Sequence, residues 1–203
     1  FTFSIFFPNH LHYLPQLLNA QDISALIYYC KTNKLRAMVA LCYGCGLRVS
    51  ELTHVQVNDI DGQRQLLTVR QGKGAKDRLV IISTSLLLFM RQYWLQYRPE
   101  KWLFSSCYHG VCYPLHESTF RKALASAARL SGITKPCSPH SLRHAYATHQ
   151  LQAGMPLNQL QQQLGHQSIK STERYLHWSP ELGHQGIDLL ANLGGLSWQT
   201  PIT

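Results

Sequence analysis

Apolar residues recur at helical spacing over most of this chain. Near its start, three helical segments are predicted in succession: an amphipathic one over 22–31, an almost wholly apolar one over 35–43, and a third over 48–54. Beyond Ser85 the helical pattern returns over 86–97, 117–130, 139–153 and 156–164, and Thr172 is expected to cap a further helix around Tyr175. The chain is therefore expected to be mainly helical.

Two short runs break this pattern with the composition of β-strands. Residues 65–70 and 78–82 are rich in β-branched and aliphatic residues, and the segment between them contains glycine and lysine. This arrangement predicts a hairpin with a basic tip, and residues 56–60 are a candidate third strand. The predicted fold class is α+β, mainly α, with a small antiparallel β-sheet near the N-terminal third.

The stretch from Gly44 to Glu51 places a permanent charge at the edge of the apolar segment. Gly44 and Gly46 are expected to end the apolar helix, and Arg48 opens the next helix with Glu51 on its first turn. A guanidinium beside a core is costly unless it meets an anionic partner. The position of Arg48 therefore suggests a site where that partner binds.

Composition narrows the class of protein. Hydrophobic residues make up 45% of the 203 residues, which excludes a disordered chain. Lys and Arg outnumber Asp and Glu by 19 to 10, which gives a net charge of +9 and suggests a polyanionic partner, nucleic acid or an acidic membrane surface. A soluble protein that is basic for no functional reason is the alternative. No run approaches the roughly 20 apolar residues of a membrane span.

The two ends of the chain are expected to lie outside its folded domain. The first residues, FTFSIFFP, lack an initiator Met and a basic region, so we interpret them as the cut end of a longer polypeptide rather than a signal peptide. The predicted boundaries are a linker at 1–20, one domain at 21–180 and a tail at 181–203. In the tail, Ile187, Leu190 and, less well aligned, Leu193 follow helical spacing.

The six cysteines are expected to be buried, reduced thiols. Cys42 and Cys45 have the spacing of a redox or zinc half-site, but they lie in an apolar helical run. Cys107 and Cys112 form a loose second pair without a matching metal-binding pattern. No metal site is therefore expected, and free thiols favour a cytoplasmic location.

Three further segments carry candidate chemistry. His140 and Arg143 lie three residues apart on one predicted helix, so both side chains leave the same face. His166 precedes Tyr175 by nine residues, and Lys73 lies at the hairpin tip in a Gly-Lys-Gly segment without the spacing of a P-loop. Each has an ordinary structural explanation when taken alone. Together with Arg48 they suit a phosphodiester centre that lacks a carboxylate cluster for metal.

Four motifs carry a resemblance to a known family. GLRVSEL, GKGAKDR, PHSLRHAYATH and LGHQSIKSTERYLH, in this order and at these intervals, resemble the catalytic domain of the tyrosine recombinase (phage integrase) family. The resemblance runs from about Asp22 to His177. It implies helices packed around a small antiparallel sheet, and a preceding helical DNA-binding domain that this sequence does not include.

The resemblance also implies roles for individual residues. Six positions match the catalytic set of the family, with none replaced: Arg48, Lys73, His140, Arg143, His166 and Tyr175. Tyr175 would be the nucleophile, His140 its base, and Lys73 the acid that protonates the departing 5′ oxygen. Glu51 would lie behind Arg48 as its partner. Lys73, Lys76 and Arg78 are expected to contact DNA, and Glu173 would disfavour a nearby phosphate unless Lys170 or Arg174 pairs with it.

The implied activity is cleavage and rejoining of DNA strands through a 3′-phosphotyrosine, without metal, ATP or another cofactor. A type IB topoisomerase and a DNA-binding module whose catalysis has decayed are the alternatives. The expected partner is double-stranded DNA, with a homo-tetramer on paired DNA sites, a monomer or weak dimer without DNA, and no membrane. The tail at 181–203 would either fold back on its own domain or pass to the neighbouring protomer.

Overall fold

The computed structural model describes residues 17–70, 77–173 and 175. Its helices are α1 (Ala20–Tyr28), α2 (Asn33–Cys45), α3 (Val49–Thr53), α4 (Thr84–Tyr97), α5 (Glu117–Leu130), α6 (Pro139–Gln152), α7 (Leu157–Leu164) and α8 (Lys170–Glu173). Its strands are β1 (Ile60–Asp61), β2 (Leu66–Val69), β3 (Arg78–Ile81), β4 (Ser105–Tyr108) and β5 (Val111–Pro114). The predicted class, α+β and mainly α with small antiparallel sheets, is confirmed.

Helix α2 is the centre of the core. All of its residues except Lys34 and Gly44 are buried, and it packs against α1, α3, α4, α5 and α6. A helix that is buried on nearly every side is stable only when other elements surround it. Residues just beyond the end of α2 therefore emerge at the border of the core.

The end of α2 is set by one glycine rather than two. Gly44 was predicted to break the helix, but it lies inside α2, and the helix ends at Gly46 with φ of 60° in the left-handed region. A Cβ atom on Gly46 would lie 2.4 Å from the ring of Tyr146 in α6. Gly46 thus combines a left-handed turn with close packing of α6.

The predicted hairpin is present. Strands β2 and β3 pair antiparallel with Leu67 opposite Val80, and both side chains are buried. The candidate strand at 56–60 is corrected to a short 3₁₀ helix at Val57–Asp59 followed by the two-residue β1. The carboxylate of Asp59 accepts the Gln56 backbone N–H at 2.8 Å and so stabilises this turn instead of a strand. The basic tip, 71–76, lies outside the described residues.

A second hairpin, β4–β5, was not predicted from the sequence. Cys107 lies directly opposite Cys112 in it, and the two form a disulfide. The expectation of six buried, reduced thiols is therefore wrong for this exposed pair, because the turn brings them face to face across the strands. Cys30, Cys42 and Cys45 are buried free thiols, and Cys137 is free and partly exposed.

The C-terminal helices place the remaining site residues. Ser138 caps α6, with Pro139 in the first turn as predicted. Helix α7 ends at Gly165, whose φ is 64°. Thr172 was expected to cap a helix around Tyr175, but it lies inside α8, and Tyr175 follows in a turn.

The predicted linker at 1–20 and tail at 181–203 lie largely outside the described residues. Where the structure begins, Leu18 is buried in the core and Asn19 caps α1 through a hydrogen bond to the Asp22 backbone N–H. Among the helices described, none has the length and apolar character needed to cross a membrane.

Candidate active site

One pocket of about 420 Å³ brings together most of the predicted catalytic residues. It is lined by Leu47, Arg48, Val49, Arg121, Pro139, His140, Arg143, His166, Ser171 and Tyr175. Five of the six predicted catalytic residues are in this set, although they come from four separate stretches of the chain. Lys73, and Lys76 beside it, lie outside the described residues. A larger groove of about 830 Å³ between β1 and α4 contains none of the predicted residues.

Arg143 is the buried cation of the pocket, with 3% of its side chain exposed. It donates from Nη1 to the Gly46 carbonyl at 2.8 Å and from Nη2 to the Leu164 carbonyl at 2.7 Å. Burial, and then the charge of Arg48, lower the pKa of Arg143 to about 10. Arg143 therefore remains charged near neutral pH, and two backbone carbonyls fix its direction.

Arg48 is the more exposed arginine, with 43% of its side chain accessible. It occupies the N-cap position of α3, where its backbone N–H donates to Glu51 Oε2 at 2.8 Å. Its Nη1 donates to the other oxygen of the same carboxylate, also at 2.8 Å. Glu51 thus holds Arg48 at two points, in the position that the sequence suggested for it.

Glu51 is shared by more than one arginine. Arg78 donates from Nη1 and Nη2 to the two carboxylate oxygens at 2.8 and 2.9 Å, and Arg143 Nη1 lies 3.8 Å from Oε2. Burial acts to raise the pKa of Glu51, but the hydrogen bonds and charge of Arg78, with those of Arg48, hold it at about 2. The carboxylate is therefore ionised throughout the neutral range and anchors the arginine cluster.

The geometry of Arg78 does not fit its predicted contact with DNA. Only 9% of its side chain is exposed, and besides its two bonds to Glu51 it donates from Nε to the Gln163 carbonyl at 2.8 Å. All three nitrogens of the guanidinium are directed into the protein. The prediction failed because alternation along a strand does not reveal that a buried carboxylate lies across from Arg78.

The hydrogen bonds of His166 define its tautomer. Arg143 Nη2 lies 3.0 Å from His166 Nε2, and since an arginine only donates, Nε2 must accept. Nδ1 then carries the proton and donates to Thr172 Oγ1 at 3.0 Å. In this arrangement hydrogen-bond partners on both sides align the imidazole.

Tyr175 lies at the inner side of the pocket with 2% of its surface exposed. Its ring is nearly parallel to that of His166, at an interplanar angle of 11° and a centroid distance of 6.5 Å. Its backbone N–H donates to the Thr172 carbonyl at 3.0 Å. The turn after α8 thus places the tyrosine beside the histidine that Arg143 and Thr172 align.

Sequence reasoning missed His144. The centroid of its ring lies 4.0 Å from that of the exposed His140 and 5.5 Å from that of the buried Tyr175. The signal was present, because His144 is four residues after His140 on the same helix face. Arg121 was also missed. It lies at the pocket wall and pairs with Glu117 at 2.7 Å.

Tyr146, the tyrosine that follows Arg143 on α6, is part of the packed core. It is 1% exposed, it lies against Gly46, and burial raises its pKa well above the usual tyrosine value.

The part of the chain described here contains no group of His, Cys, Asp or Glu side chains that could hold a metal ion.

The sequence and structure have known relatives. Residues 16–181 match the model of the phage integrase family. The chain is 40% identical over 163 residues to a putative integrase/recombinase, y4qK, of Sinorhizobium fredii, which covers 80% of this chain and 52% of that protein. It is 35% identical over 189 residues to the tyrosine recombinase XerA of Pyrococcus furiosus, which covers 90% of this chain and 65% of that protein.

Solved structures share the architecture. The crystal structure of XerA recombinase superposes with a TM-score of 0.71 at 31% identity, over 80% of this chain and 60% of that one. The catalytic domain of bacteriophage HP1 integrase gives a TM-score of 0.62 at 24% identity, over 82% of this chain and 89% of that one. The chain spans about half to two thirds of the length of the curated relatives described above.

Proposed function

We propose that this chain, which belongs to the phage integrase family, is a site-specific DNA recombinase that cleaves and rejoins strands through a phosphotyrosine at Tyr175. The observation that carries the proposal is the placement of buried Tyr175 in one pocket with Arg48, Arg143 and His166. A tyrosine hydroxyl, two guanidinium groups and an aligned imidazole are the groups that attack on a phosphodiester requires.

The two arginines would act on the charge of the phosphate. Attack on phosphorus builds negative charge on the non-bridging oxygens, and a guanidinium presents a rigid set of donors to them. Arg48 faces the pocket with 43% of its side chain accessible, so it is the natural direct donor. Arg143 adds a buried positive charge, held in place by the carbonyls of Gly46 and Leu164.

Tyr175 would supply the nucleophile. A tyrosine hydroxyl has a reference pKa of about 10, so its proton must leave as the bond to phosphorus forms. We assign His140 as the acceptor of that proton, either directly or through His144, whose ring lies between His140 and Tyr175. The contacts with Arg143 and Thr172 hold the ring of His166 in place, beside the proposed position of the phosphate.

The reaction balances without a cofactor. The Tyr175 oxygen bonds to phosphorus, the bond from phosphorus to the 5′ oxygen breaks, and we assign Lys73 as the acid that protonates this oxygen. The 3′-phosphotyrosine conserves the energy of the broken bond, so a 5′ hydroxyl from another strand displaces the tyrosine without ATP or metal. Lys73 and Lys76 are proposed to contact DNA from the hairpin between β2 and β3.

The proposed partner is double-stranded DNA, with a homo-tetramer on paired sites and a monomer or weak dimer without DNA. The net charge of +9 supports a polyanionic partner. A cytoplasmic location is proposed because the proposed partner is DNA and the core cysteines Cys30, Cys42 and Cys45 are free thiols. Type IB topoisomerase activity and a decayed DNA-binding module are the alternatives.

The test is covalent trapping on a library of short duplexes of randomised sequence, each nicked so that the cleaved fragment diffuses away. The wild-type chain is expected to form a protein–DNA adduct, and Tyr175→Phe none while still binding DNA. Tyr146→Phe, which keeps the ring that packs on Gly46, is the matched control and is expected to form the adduct. An adduct in Tyr175→Phe contradicts the assignment of the nucleophile.

Two further outcomes separate the alternatives. Sequences enriched in the adduct are paired and assayed for Holliday junctions, which a recombinase forms and a topoisomerase does not. Relaxation of supercoils without junctions favours the topoisomerase. DNA binding by the wild-type chain with no adduct on any duplex favours the decayed binding module and contradicts the proposed function.

A further inference from the structure

We infer that Arg78 is a positioning residue that holds the phosphate-binding Arg48 in place through the Glu51 carboxylate. The inference rests on the function proposed above, and it replaces the predicted contact of Arg78 with DNA. Arg78 lies in β3 and does not line the pocket, but its hydrogen bonds join β3 to α3 and α7.

Arg48 and Arg78 share one carboxylate, that of Glu51. Glu51 Oε1 accepts from Arg48 Nη1 and from Arg78 Nη1, each at 2.8 Å. Glu51 Oε2 accepts from the Arg48 backbone N–H at 2.8 Å and from Arg78 Nη2 at 2.9 Å. The planar fork of Arg78 therefore sets the plane of the carboxylate, and that plane sets where Arg48 is held.

The exposure of the two side chains distinguishes the anchoring arginine from the one that is available to the phosphate. The side chains of Arg78 and Glu51 are 9% and 8% exposed, whereas that of Arg48 is 43% exposed. The Arg78–Glu51 pair is thus fixed inside the protein, and Arg48 extends from it toward the pocket. Without Arg78, the buried Glu51 carboxylate would lose two of its four close hydrogen bonds and would keep those of the half-exposed Arg48, with Arg143 Nη1 at 3.8 Å. Burial disfavours a carboxylate with fewer hydrogen bonds.

Arg78 also reaches the element that precedes His166. Its Nε donates to the Gln163 carbonyl at 2.8 Å, and the Gln163 side-chain oxygen accepts the Ile81 backbone N–H at 2.8 Å. Strand β3 is therefore attached to the end of α7 at two points. The next carbonyl, that of Leu164, accepts from Arg143. One guanidinium thus fixes the distance between the Arg48 side of the pocket and the Arg143–His166 side.

Lysine cannot reproduce these contacts. Its ammonium is a single point charge on a flexible stem, so it cannot fill the fork on Glu51 and donate to Gln163 with fixed geometry. Arg78→Lys therefore retains the charge while releasing the plane of the carboxylate. The matched control is Arg70→Lys in the chain segment just after β2, where Arg70 pairs with Asp59 at 2.7 Å and its side chain is 55% exposed.

The experiment compares single-turnover cleavage and DNA affinity of the full chain and its variants on a duplex selected as above. With Arg78→Lys at saturating DNA, adduct formation is expected to slow on the order of 100-fold, as for a displaced catalytic group, while Kd changes less than about threefold. Arg70→Lys is expected to match the wild type in both. Arg78→Lys cleaving at the wild-type rate overturns the inference.

A second substrate separates positioning from general damage. In a duplex with a methylphosphonate at the scissile position, one charged oxygen is replaced by a methyl group, so less charge needs stabilisation. The rate deficit of Arg78→Lys is expected to shrink on this substrate, as is that of Glu51→Gln, and the double variant is expected to be little slower than either single one. An equal deficit on both substrates, or weaker DNA binding with a smaller salt dependence, overturns the inference.

Two controls cover a variant that does not fold and a wild-type chain that forms no adduct. Where Arg78→Lys does not fold by circular dichroism, Arg78→Gln, whose amide still donates to Glu51, takes its place in the same assays. Where the wild-type chain forms no adduct, the proposed function fails, and the NMR signal of the Arg48 guanidinium decides this inference separately. That signal is expected to shift or broaden in the Arg78 variant and not in Arg70→Lys, and an unchanged signal in both overturns the positioning role.

Discussion

Arg143 Nη1 donates to the backbone carbonyl of Gly46 at 2.8 Å, across 97 residues of sequence. Gly46 adopts a φ of 60° at the end of α2, and this turn directs its carbonyl at the buried guanidinium. Tyr146 packs against the same glycine, where it leaves no room for a side chain. The path of the backbone at Gly46 is thus part of the arginine site.

Gly46→Ala is expected to lower both stability and cleavage. The added Cβ would lie 2.4 Å from the Tyr146 ring at a left-handed backbone position, so the free energy of unfolding should fall by about 2–4 kcal/mol. Cleavage should fall more than DNA binding because Arg143 loses its aligned carbonyl. Urea denaturation and adduct formation measure the two effects.

The control for that variant is Gly110→Ala. Gly110 has a φ of 78°, but nothing lies within 4 Å of the position of an added Cβ. An alanine at position 110 is therefore strained in its backbone, but it meets no neighbouring side chain and has no role in the site. Equal losses in the two variants would mean that strain alone explains the effect at Gly46.

Glu51→Gln is expected to change the pH dependence of stability. The pKa of Glu51 is about 2 in the folded protein, below the value of about 4.3 for a free glutamate, so the unfolded state binds the proton more tightly. The ionised carboxylate therefore contributes up to about 3 kcal/mol above pH 4.3, and this contribution is lost as the pH falls toward 2.

The measurement is urea denaturation of wild type and Glu51→Gln from neutral pH to pH 2. The stability gap between them should be nearly constant above about pH 5 and should narrow steadily below pH 4.3. A gap that does not depend on pH would show that Glu51 acts through packing rather than through its charge.

Thr172→Val is expected to disturb His166 while conserving shape. The hydroxyl of Thr172 accepts from His166 Nδ1, and its loss leaves a ring N–H without that partner, at a cost of about 1–3 kcal/mol. Nitrogen NMR of the imidazole should show a shifted or broadened Nδ1 signal, and adduct formation should slow.

Thr53→Val is the matched control for Thr172→Val. Thr53 is also fully buried, and its hydroxyl also lies beside a histidine, at 3.2 Å from His54 Nδ1, but neither residue lines the active-site pocket. An unchanged His166 Nδ1 signal in Thr172→Val would rule out the hydrogen bond between His166 and Thr172.

Removing the disulfide is expected to affect stability and not the reaction. A loop as short as that closed by Cys107 and Cys112 contributes about 2 kcal/mol at most in the chain-entropy account. The double variant Cys107→Ser, Cys112→Ser should lose no more than that in urea denaturation and should form adducts at the wild-type rate. A large loss of cleavage would indicate that the β4–β5 hairpin contributes to the site.

Much of the local structure was predictable because its causes are local. Apolar periodicity located α2, α5, α6 and α7 to within a few residues, and Ser138 with Pro139 marked the start of α6. The spacing of His140 and Arg143 on one helix face follows from helix geometry alone. Four ordered motifs indicated the family, and the family model matches residues 16–181.

The remaining features depend on residues that are distant in sequence. The inward direction of Arg78 requires Glu51, 27 residues earlier, and the shape of the turn at Gly46 matters because Tyr146 lies 100 residues later. The disulfide depends on which residues a hairpin turn brings opposite each other. The sequence by itself determined the elements, the charge and the chemical groups, since these follow from neighbours within a few residues. Only the tertiary structure decided which cations face the pocket and which are anchors, because ion pairing and burial arise when separate segments pack together.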